Sequence, residues 1–499
     1  MDRSAVLEPP VARRRARLRS RLAIPERRLL LVMGDLLLIS LGIAGSLLVW
    51  SSWAQRLLNW SLWQQQALWA FFIFMGWLFW LMLSDLYNLR YAVMVGTSVR
   101  RILAGGITIA LAYLILFFIT SPAPILGSTP GLLAQLTPTE ALPRLAPGMA
   151  IISTTTLLLG WRITFACAMR GPQTRRRVLI IGAGKAGTTL ARTIWRDHSA
   201  HYDVIGFIDD HPEKQFTSLN GVPVLSGHER LAQIVHKYRI DELIIAISAR
   251  LEDDLFQEII ACHERGVTVT PMPLLYERLT GRIAVEHIGS QWYTALPLQR
   301  HAASNFFEMI KRVNDLLFGL IGGLVFLAFL PGIALAIRLD SPGPVFYAQE
   351  RSGIHGRRFR VRKFRSMIQN AERDGQAQWA AKDDQRITRV GKFLRKTRID
   401  ELPQVINVLR GEMSLVGPRP ERPQFIDQLQ HQIPFYRTRL AIKPGLTGWA
   451  QINYGYGNTV EDAMIKLQYD LYYIKHQAPW LDLLIVLRTF GVVLRMKGQ

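Results

Sequence analysis

Four apolar runs in the first third of the chain, a Gly-x-Gly-x-x-Gly turn between an apolar strand and a helical pattern, and a fifth apolar run set in a basic α/β region predict three linked parts. These are an α-helical membrane bundle, an α/β Rossmann-like domain, and a mixed α/β monotopic domain held on the bilayer by a re-entrant helix. At 499 residues the chain is too long for one ordinary domain. Its 49% of hydrophobic residues coexist with a formal net charge of +22, so part of it belongs in lipid and the rest calls for anionic partners. Apolar runs beside the basic stretches favour membrane lipid and phosphorylated small molecules over nucleic acid. Cys167 and Cys262 lie far apart, which excludes a disulfide framework and a cysteine metal site and fits a reducing cytoplasmic face.

A basic leader, residues 1–28, carries Arg13, Arg14, Arg15, Arg17, Arg19, Arg21, Arg27 and Arg28. The apolar runs at 29–50, 67–84, 102–120 and 149–169 follow, within a four-helix bundle over 29–170. Each approaches the ~20 residues needed to cross the hydrocarbon core. Arg90, Arg100 and Arg101 fall between the second and third runs, and Arg170, Arg175, Arg176 and Arg177 follow the fourth; the other two connections offer only Arg56 and Arg144. Lys and Arg are retained on the cytoplasmic side, so both ends of the bundle are expected there, in a multi-pass membrane protein. The long leader and the lack of a small-residue cleavage site argue against a cleaved signal peptide. Asp35 and Arg162 sit near the cytoplasmic ends of their runs and are expected to snorkel.

The Rossmann-like domain, 171–273, opens with "RRVLIIGAGKAGTTLARTI", which places Gly182, Gly184 and Gly187 as candidate cofactor-binding residues. Asp209 and Asp210 close a second strand, where a ribose-binding acid is expected. The glycines are equally required by a tight turn and by strand-to-helix packing, and that reading is preferred here. No Lys has a Tyr four residues before it, which counts against a short-chain oxidoreductase. A linker with little pattern covers 274–303.

The last part, 304–499, starts with "LLFGLIGGLVFLAFLPGIALAI" at 316–337. Lys311 and Arg312 precede it, and Arg338, Arg351, Arg357, Arg358, Arg360, Arg362 and Lys363 follow, so crossing would push one basic cluster through the membrane. Pro331 is expected to break the helix near the middle. Together these predict a re-entrant helix-break-helix over about 311–338.

Chemistry concentrates after it. "VRKFRSM" puts Lys363 and Arg365 on one face of a short strand, where they can meet phosphate oxygens. Arg386, Arg389 and Arg395 precede the adjacent acids Asp400 and Glu401, and "SLVGPRPE" presets a turn around Arg419. "KPGLTGWAQI" supplies Lys443 and Gln451, and "KLQYDLYYIK" supplies Asp470. "WLDLLIVLRTFGVVLRM", at 480–496, fits either an interfacial helix or a core helix. Asp400 fits the N-cap of a helix "ELPQVINVLR". Ringed by cations, that helix start also suits a phosphate. A carboxylate 4 Å from a phosphate charge costs about 4 kcal/mol at an effective dielectric of 20, roughly three orders of magnitude in rate, which cations must offset. Such a setting suits a carboxylate nucleophile attacking phosphorus, with the neighbouring Glu401 placed to hold Mg2+.

Asp400-Glu401-Leu402-Pro403-Gln404, Lys363 to Met367, Ser414 to Pro420 and Lys443 to Gly448 together resemble the bacterial polyprenyl-phosphate glycosyl-1-phosphate transferases, or bacterial sugar transferases, from about Phe306 onward. Four spans plus a Rossmann-like domain resemble the long form of that family. The resemblance implies a two-step exchange. Asp400 attacks the sugar-bearing phosphate of a UDP-sugar, UMP leaves, and undecaprenyl phosphate takes the phosphosugar, initiating exopolysaccharide, capsule or O-antigen synthesis. It implies that Glu401 works with Mg2+ and that Lys363, Arg365 and Arg419 contact phosphates, with Arg386, Lys443, Gln404, Gln451 and Asp470 as further candidates. The alternatives are an NAD-dependent nucleotide-sugar oxidoreductase or epimerase, a plain hexose transferase (for which the chain lacks an Asp-x-Asp) and a non-catalytic scaffold, which leaves the Asp400 constellation unexplained. The motifs do not distinguish glucose from galactose, and the bundle and the Rossmann-like domain offer surface for a homodimer.

Overall fold

The computed structural model describes residues 24–53, 60–87, 89–92, 94–120, 145–169, 175–199, 201–247, 251–287, 304–368, 386–455, 457 and 459–494. The leader up to residue 23, Arg56, Arg144, Arg170, the linker part 288–303 and the chain end from Arg495 lie outside the described residues. Two compact units result, one built from 24–74 and 86–176, the other from 75–85, 177–199 and 204–494, with residues 201–203 belonging to the first.

Four long helices match the four apolar runs: α1 (Ile24–Trp53), α2 (Trp60–Leu83), α3 (Val95–Thr120) and α4 (Leu145–Met169). All four are long and apolar enough to cross a bilayer. α1 and α4 meet through small residues; a Cβ on Gly34 or on Gly42 would stand 2.5 Å from Trp161 or Thr154. That closeness overturns the snorkelling expectation. Asp35 and Arg162 are both fully buried and 2.5 Å apart. Arg162 also donates to the Leu86 carbonyl at 2.7 Å and faces the Tyr87 ring. With α1 and α4 in contact, neither side chain has a route to the surface, and each neutralises the other.

In the Rossmann-like domain, β1 (Arg176–Ile181), α5 (Lys185–Thr193), β2 (Tyr202–Ile208), β3 (Ser218–Leu219), β4 (Val222–Ser226), α6 (Leu231–Tyr238), β5 (Glu242–Ile245), α7 (Asp253–Glu264), β6 (Thr268–Pro271) and α8 (Met272–Thr280) give the sheet order β3-β4-β2-β1-β5-β6. The β1–β5, β5–β6 and β2–β4 pairs are parallel; helices lie in the connections of the first two, whereas β2 reaches β4 through turns and the short β3, which pairs antiparallel with β4. Near-continuous apolar strands bury Leu179, Ile181, Ile208 and Leu243 under Leu231, Leu255 and Ile259 of the helices. Helical structure continues past Pro273. α8 carries it to Thr280, and ordered backbone continues to His287, within what the sequence suggests is a patternless linker.

In the last domain, α9 (Ser304–Asp340) is one helix of 37 residues, with Pro331 inside it and no interruption there. Pro331 does not end the helix, because proline removes a single backbone donor and the rest of the ladder can close around it. Followed along its axis, the helix runs roughly 55 Å at 1.5 Å per residue. Its start is gripped by the domain: Arg312 donates to the Val408 and Leu409 carbonyls, and Asp315 accepts from the Ser414 hydroxyl and the Leu415 N–H. Its end is gripped too, as Arg365 donates to the Ser341 and Pro342 carbonyls and Asp340 accepts from Val390 N–H. Along the same length Leu316, Leu320, Leu324, Leu327, Leu335 and Leu339 face outward.

An antiparallel hairpin follows, β7 (Phe346–Ser352) with β8 (Arg358–Phe364), then α10 (Arg389–Thr397), a 3₁₀ turn (Ile399–Gln404), α11 (Val405–Arg410), β9 (Ser414–Val416), α12 (Pro423–Gln432), β10 (Gly445–Thr447), α13 (Trp449–Asn453), α14 (Val460–Lys475) and α15 (Pro479–Leu494). Phe326 of α9 packs on Phe346 and Phe364, which roots the hairpin on the long helix. α15 buries Leu481 and Ile485 against Val416 and Tyr473 while exposing Trp480 and Leu483, so it is at once a core helix and an apolar surface.

Candidate active site

Residues facing one side of the hairpin floor a cavity of about 770 Å3. Register pairs Tyr347 with Lys363 and Gln349 with Val361, so Tyr347, Gln349 and Arg351 alternate onto the cavity side with Lys363. The 3₁₀ turn brings Asp400 and Glu401 to the same space, and the Pro418–Pro420 turn brings Arg419. Asp400 is not a helix N-cap. Arg398, in the left-handed region with φ 61°, starts the turn, and the α-helix begins only at Val405. Pro403 has no N–H to close an α-helical bond, so 399–404 wind more tightly.

The two acids differ in their partners. Glu401 Oε1 accepts from Lys363 Nζ at 2.8 Å and from Arg419 Nη2 at 2.6 Å. Among the described residues its Oε2 has only longer contacts, 3.5 Å to Arg419 and 3.9 Å to Arg398. Burial alone would push Glu401 up, but Arg419 and Lys363 hold it well below the usual carboxylate range. Asp400 is 8% exposed and opens on the cavity, with no hydrogen bond to its carboxylate among the described residues. Burial raises it, Glu401 adds to the rise, and Lys363, Arg395 and Arg419 oppose it.

The remaining candidates divide. Arg386, Gln451 and Asp470 line the cavity with Lys363, Arg365 and Arg419; Gln404 and Lys443 do not. Among the described residues, Gln451 Oε1 is buried without a hydrogen-bond donor. Both terminal nitrogens of Arg365 are engaged by the Ser341 and Pro342 carbonyls, so its guanidinium ties the end of α9 to β8. Asp470 is bound to Arg439 at 2.9 Å, and Arg439 also donates to the Arg419 carbonyl, so this buried pair supports the Arg419 turn from behind. Gly445 and Gly448 are explained by backbone proximity, since a Cβ on either would stand 2.1 or 2.2 Å from Gly417. Arg351, Arg398, Arg422 and Lys466, which no motif marked, also line the cavity. Alternation along β7 from Tyr347 through Gln349 is the signal that could have found Arg351, once the register with Lys363 is known.

In the Rossmann-like domain, Gly182 has φ 103° and a Cβ on Gly187 would lie 2.0 Å from the Gly182 carbonyl oxygen, so the turn and the packing require both. A Cβ on Gly184 would meet open space. Asp209 is spent on the loop itself: it accepts from Ala183 N–H at 2.8 Å, Lys214 at 3.1 Å and His211 N–H at 3.1 Å. Asp210 accepts from His228 N–H at 2.7 Å.

Fold and site together define a class: a membrane-attached α/β protein whose cationic cavity holds one neutralised and one open carboxylate. Comparison narrows the class, since the family model for bacterial sugar transferases matches residues 306–496, and one described as a CoA-binding domain matches 126–273. The chain belongs to the bacterial sugar transferase family. It is 44% identical over 248 residues to the UDP-N-acetylgalactosamine-undecaprenyl-phosphate N-acetylgalactosaminephosphotransferase of Aeromonas hydrophila, covering 49% of this chain and 57% of that one. It is 32% identical over 327 residues to the UDP-glucose:undecaprenyl-phosphate glucose-1-phosphate transferase of Xanthomonas campestris pv. campestris, covering 65% and 67%. It is 31% identical over 348 residues to the UDP-galactose-lipid carrier transferase of Erwinia amylovora, covering 65% and 69%. The matched stretches thus span between 57% and 69% of these relatives' lengths.

Proposed function

We propose that the chain transfers a sugar-1-phosphate from a UDP-sugar to undecaprenyl phosphate, releasing UMP, as the initiating step of exopolysaccharide, capsule or O-antigen synthesis. The observation that carries this reading is the open Asp400 carboxylate beside a Glu401 already neutralised by Lys363 and Arg419. The relatives' names, with three different UDP-sugars, supply the substrate class but not the sugar.

In the first step an Asp400 oxygen bonds to the sugar-bearing phosphorus as the bond from that phosphorus to the UMP oxygen breaks, and UMP leaves with the electron pair. In the second, an oxygen of undecaprenyl phosphate bonds to the same phosphorus and Asp400 departs as a carboxylate. No proton has to move in either step. Lys363, Arg419, Arg386 and Arg395 surround the phosphates and offset the repulsion between two anions. Among the described residues no group of three metal-binding side chains occurs, as suits an ion held by one or two carboxylates and by substrate phosphates. Glu401 Oε2, with only its longer contacts, fits as a ligand for Mg2+, with Asp400 beside it. Bound there, the ion would neutralise phosphate charge.

The site belongs at the inner leaflet, on the cytoplasmic face, where a soluble nucleotide sugar and a lipid phosphate can meet. Two observations support this: the arginine bias of the bundle, and the long helix α9, gripped at both ends by one α/β domain while its outer face stays apolar. The test incubates purified protein with undecaprenyl phosphate, Mg2+ and a panel of UDP-sugars and measures UMP. Release with one or more sugars, lost on chelation and in Asp400→Asn, is expected; near-normal turnover by that variant overturns the nucleophile assignment.

A further inference from the structure

Residues 274–305 fall outside both family models, yet part of this stretch is built into the transferase domain. Ile283 and Val285 are 1% and 3% exposed in a core shared with Ile426, Leu467 and Leu471. Ile283 N–H donates to the Gln468 carbonyl at 3.1 Å, and Trp449 Nε1 donates to the Gly281 carbonyl at 2.9 Å. One turn back, Glu277 of α8 accepts from Lys475 at 3.0 Å and pairs with His476.

At the centre of this seam is Arg282. Its guanidinium lies against two rings, 5.6 Å from the centre of Tyr276 and 5.5 Å from that of Tyr469, and its Nε is buried without an acceptor among the described residues. Tyr469 packs in turn on Tyr454, with ring centres 6.5 Å apart. Tyr454 lines the cavity and donates to Asp462 at 2.6 Å, and Asp462 closes the capping box of α14 with Thr459, another lining residue.

We propose that Arg282 is a positioning residue for the transferase site, acting through Tyr469 to hold Tyr454 and, with it, the cavity-lining Gly455, Gly457 and Thr459. The Rossmann-like domain then contributes its last segment to the substrate site as well as to its own fold. A planar guanidinium can stack on both rings at once, which a lysine ammonium cannot. Asp400, Glu401 and Arg419 are held by other elements, so loss of Arg282 acts on substrate binding and spares the chemical step. This inference rests on the function proposed above.

The experiment compares full-length wild type, Arg282→Ala, Arg282→Lys and Tyr469→Leu, each checked for an unchanged melting midpoint, by steady-state kinetics and by hydrogen exchange of peptides covering 454–475. Arg282→Ala is expected to raise KM for the UDP-sugar about tenfold, with kcat within about twofold, and to speed exchange in 454–459. Arg282→Lys is expected to recover only part of both effects, and Tyr469→Leu to reproduce the alanine variant. Unchanged KM with unchanged exchange overturns the proposal, and so does a fall in kcat at constant KM. If wild type releases no UMP with any sugar, the functional reading fails by itself, and the exchange data still decide whether Arg282 orders the wall.

Discussion

Both α/β domains place an acid where a phosphorylated ligand would be sought, yet the two acids are used in opposite ways. Asp209, at the end of β2, turns onto its own glycine loop and takes hydrogen bonds from Ala183, Lys214 and His211. Asp400, in the 3₁₀ turn, takes none among the described residues and opens on a cationic cavity. A carboxylate whose lone pairs are filled by its own domain stabilises that domain, whereas one left open among cations is poised for chemistry. Asp35 is a third case, buried in the bundle and neutralised by Arg162.

The largest expected effect separates the first two acids. Asp400→Asn should lower UMP release by about three orders of magnitude or more at unchanged melting temperature. Asp209→Ala should leave turnover within about twofold and cost about 1–3 kcal/mol of stability, because Ala183 loses its acceptor. Reversed outcomes would exchange the roles assigned to the two domains.

Next in size, breaking the Asp35–Arg162 pair by Asp35→Asn or Arg162→Met should cost about 3–5 kcal/mol, read as a lower melting midpoint in detergent. Replacing both residues with apolar ones should cost less than either single change, since no buried charge is left alone.

A smaller effect tests the electrostatics around Asp400. The nucleophile must be ionised, so kcat/KM should fall as the pH drops through its raised pKa. Glu401→Gln removes a repulsion and should move that acid limb to lower pH, while Lys363→Gln removes an attraction and should move it higher. Shifts of the same sign in both variants would show that the limb belongs to another group.

The smallest effect concerns the seam. Burial would raise Glu277, but hydrogen bonds from His476 and Lys475 outweigh it and hold its folded pKa below the ordinary value. The stabilisation is therefore complete above the ordinary carboxylate pKa and is lost as the pH falls through the folded one. In Glu277→Gln the acid-side loss of unfolding free energy should be about 1 kcal/mol smaller than in wild type, read by denaturant titration at each pH.

Much of the architecture was legible in local pattern. Four apolar runs announced four helices, Gly182-x-Gly184-x-x-Gly187 announced the strand-turn-helix, and the Asp400 and Arg419 motifs announced the cavity. What misled was local as well. Pro331 implied a break because proline ends isolated helices, yet α9 runs on with its neighbours packed along it. Asp35 and Arg162 looked free to snorkel because nothing in either run reveals that the two helices touch. Residues 281–287 looked patternless because their apolar partners lie more than a hundred residues away, on α12 and α14.

By itself the sequence determined the order of the three parts, the membrane segments and the residue types at the site, because hydrophobic period, charge bias and turn chemistry act over a few neighbouring residues. Only the tertiary structure decided which acid is open and which is closed, that Arg365 anchors α9, and that Arg282 reaches the transferase wall. Those outcomes depend on which distant groups come close enough to share a hydrogen bond at about 3 Å or to stack a guanidinium on an aromatic ring, a proximity that spacing along the chain does not encode.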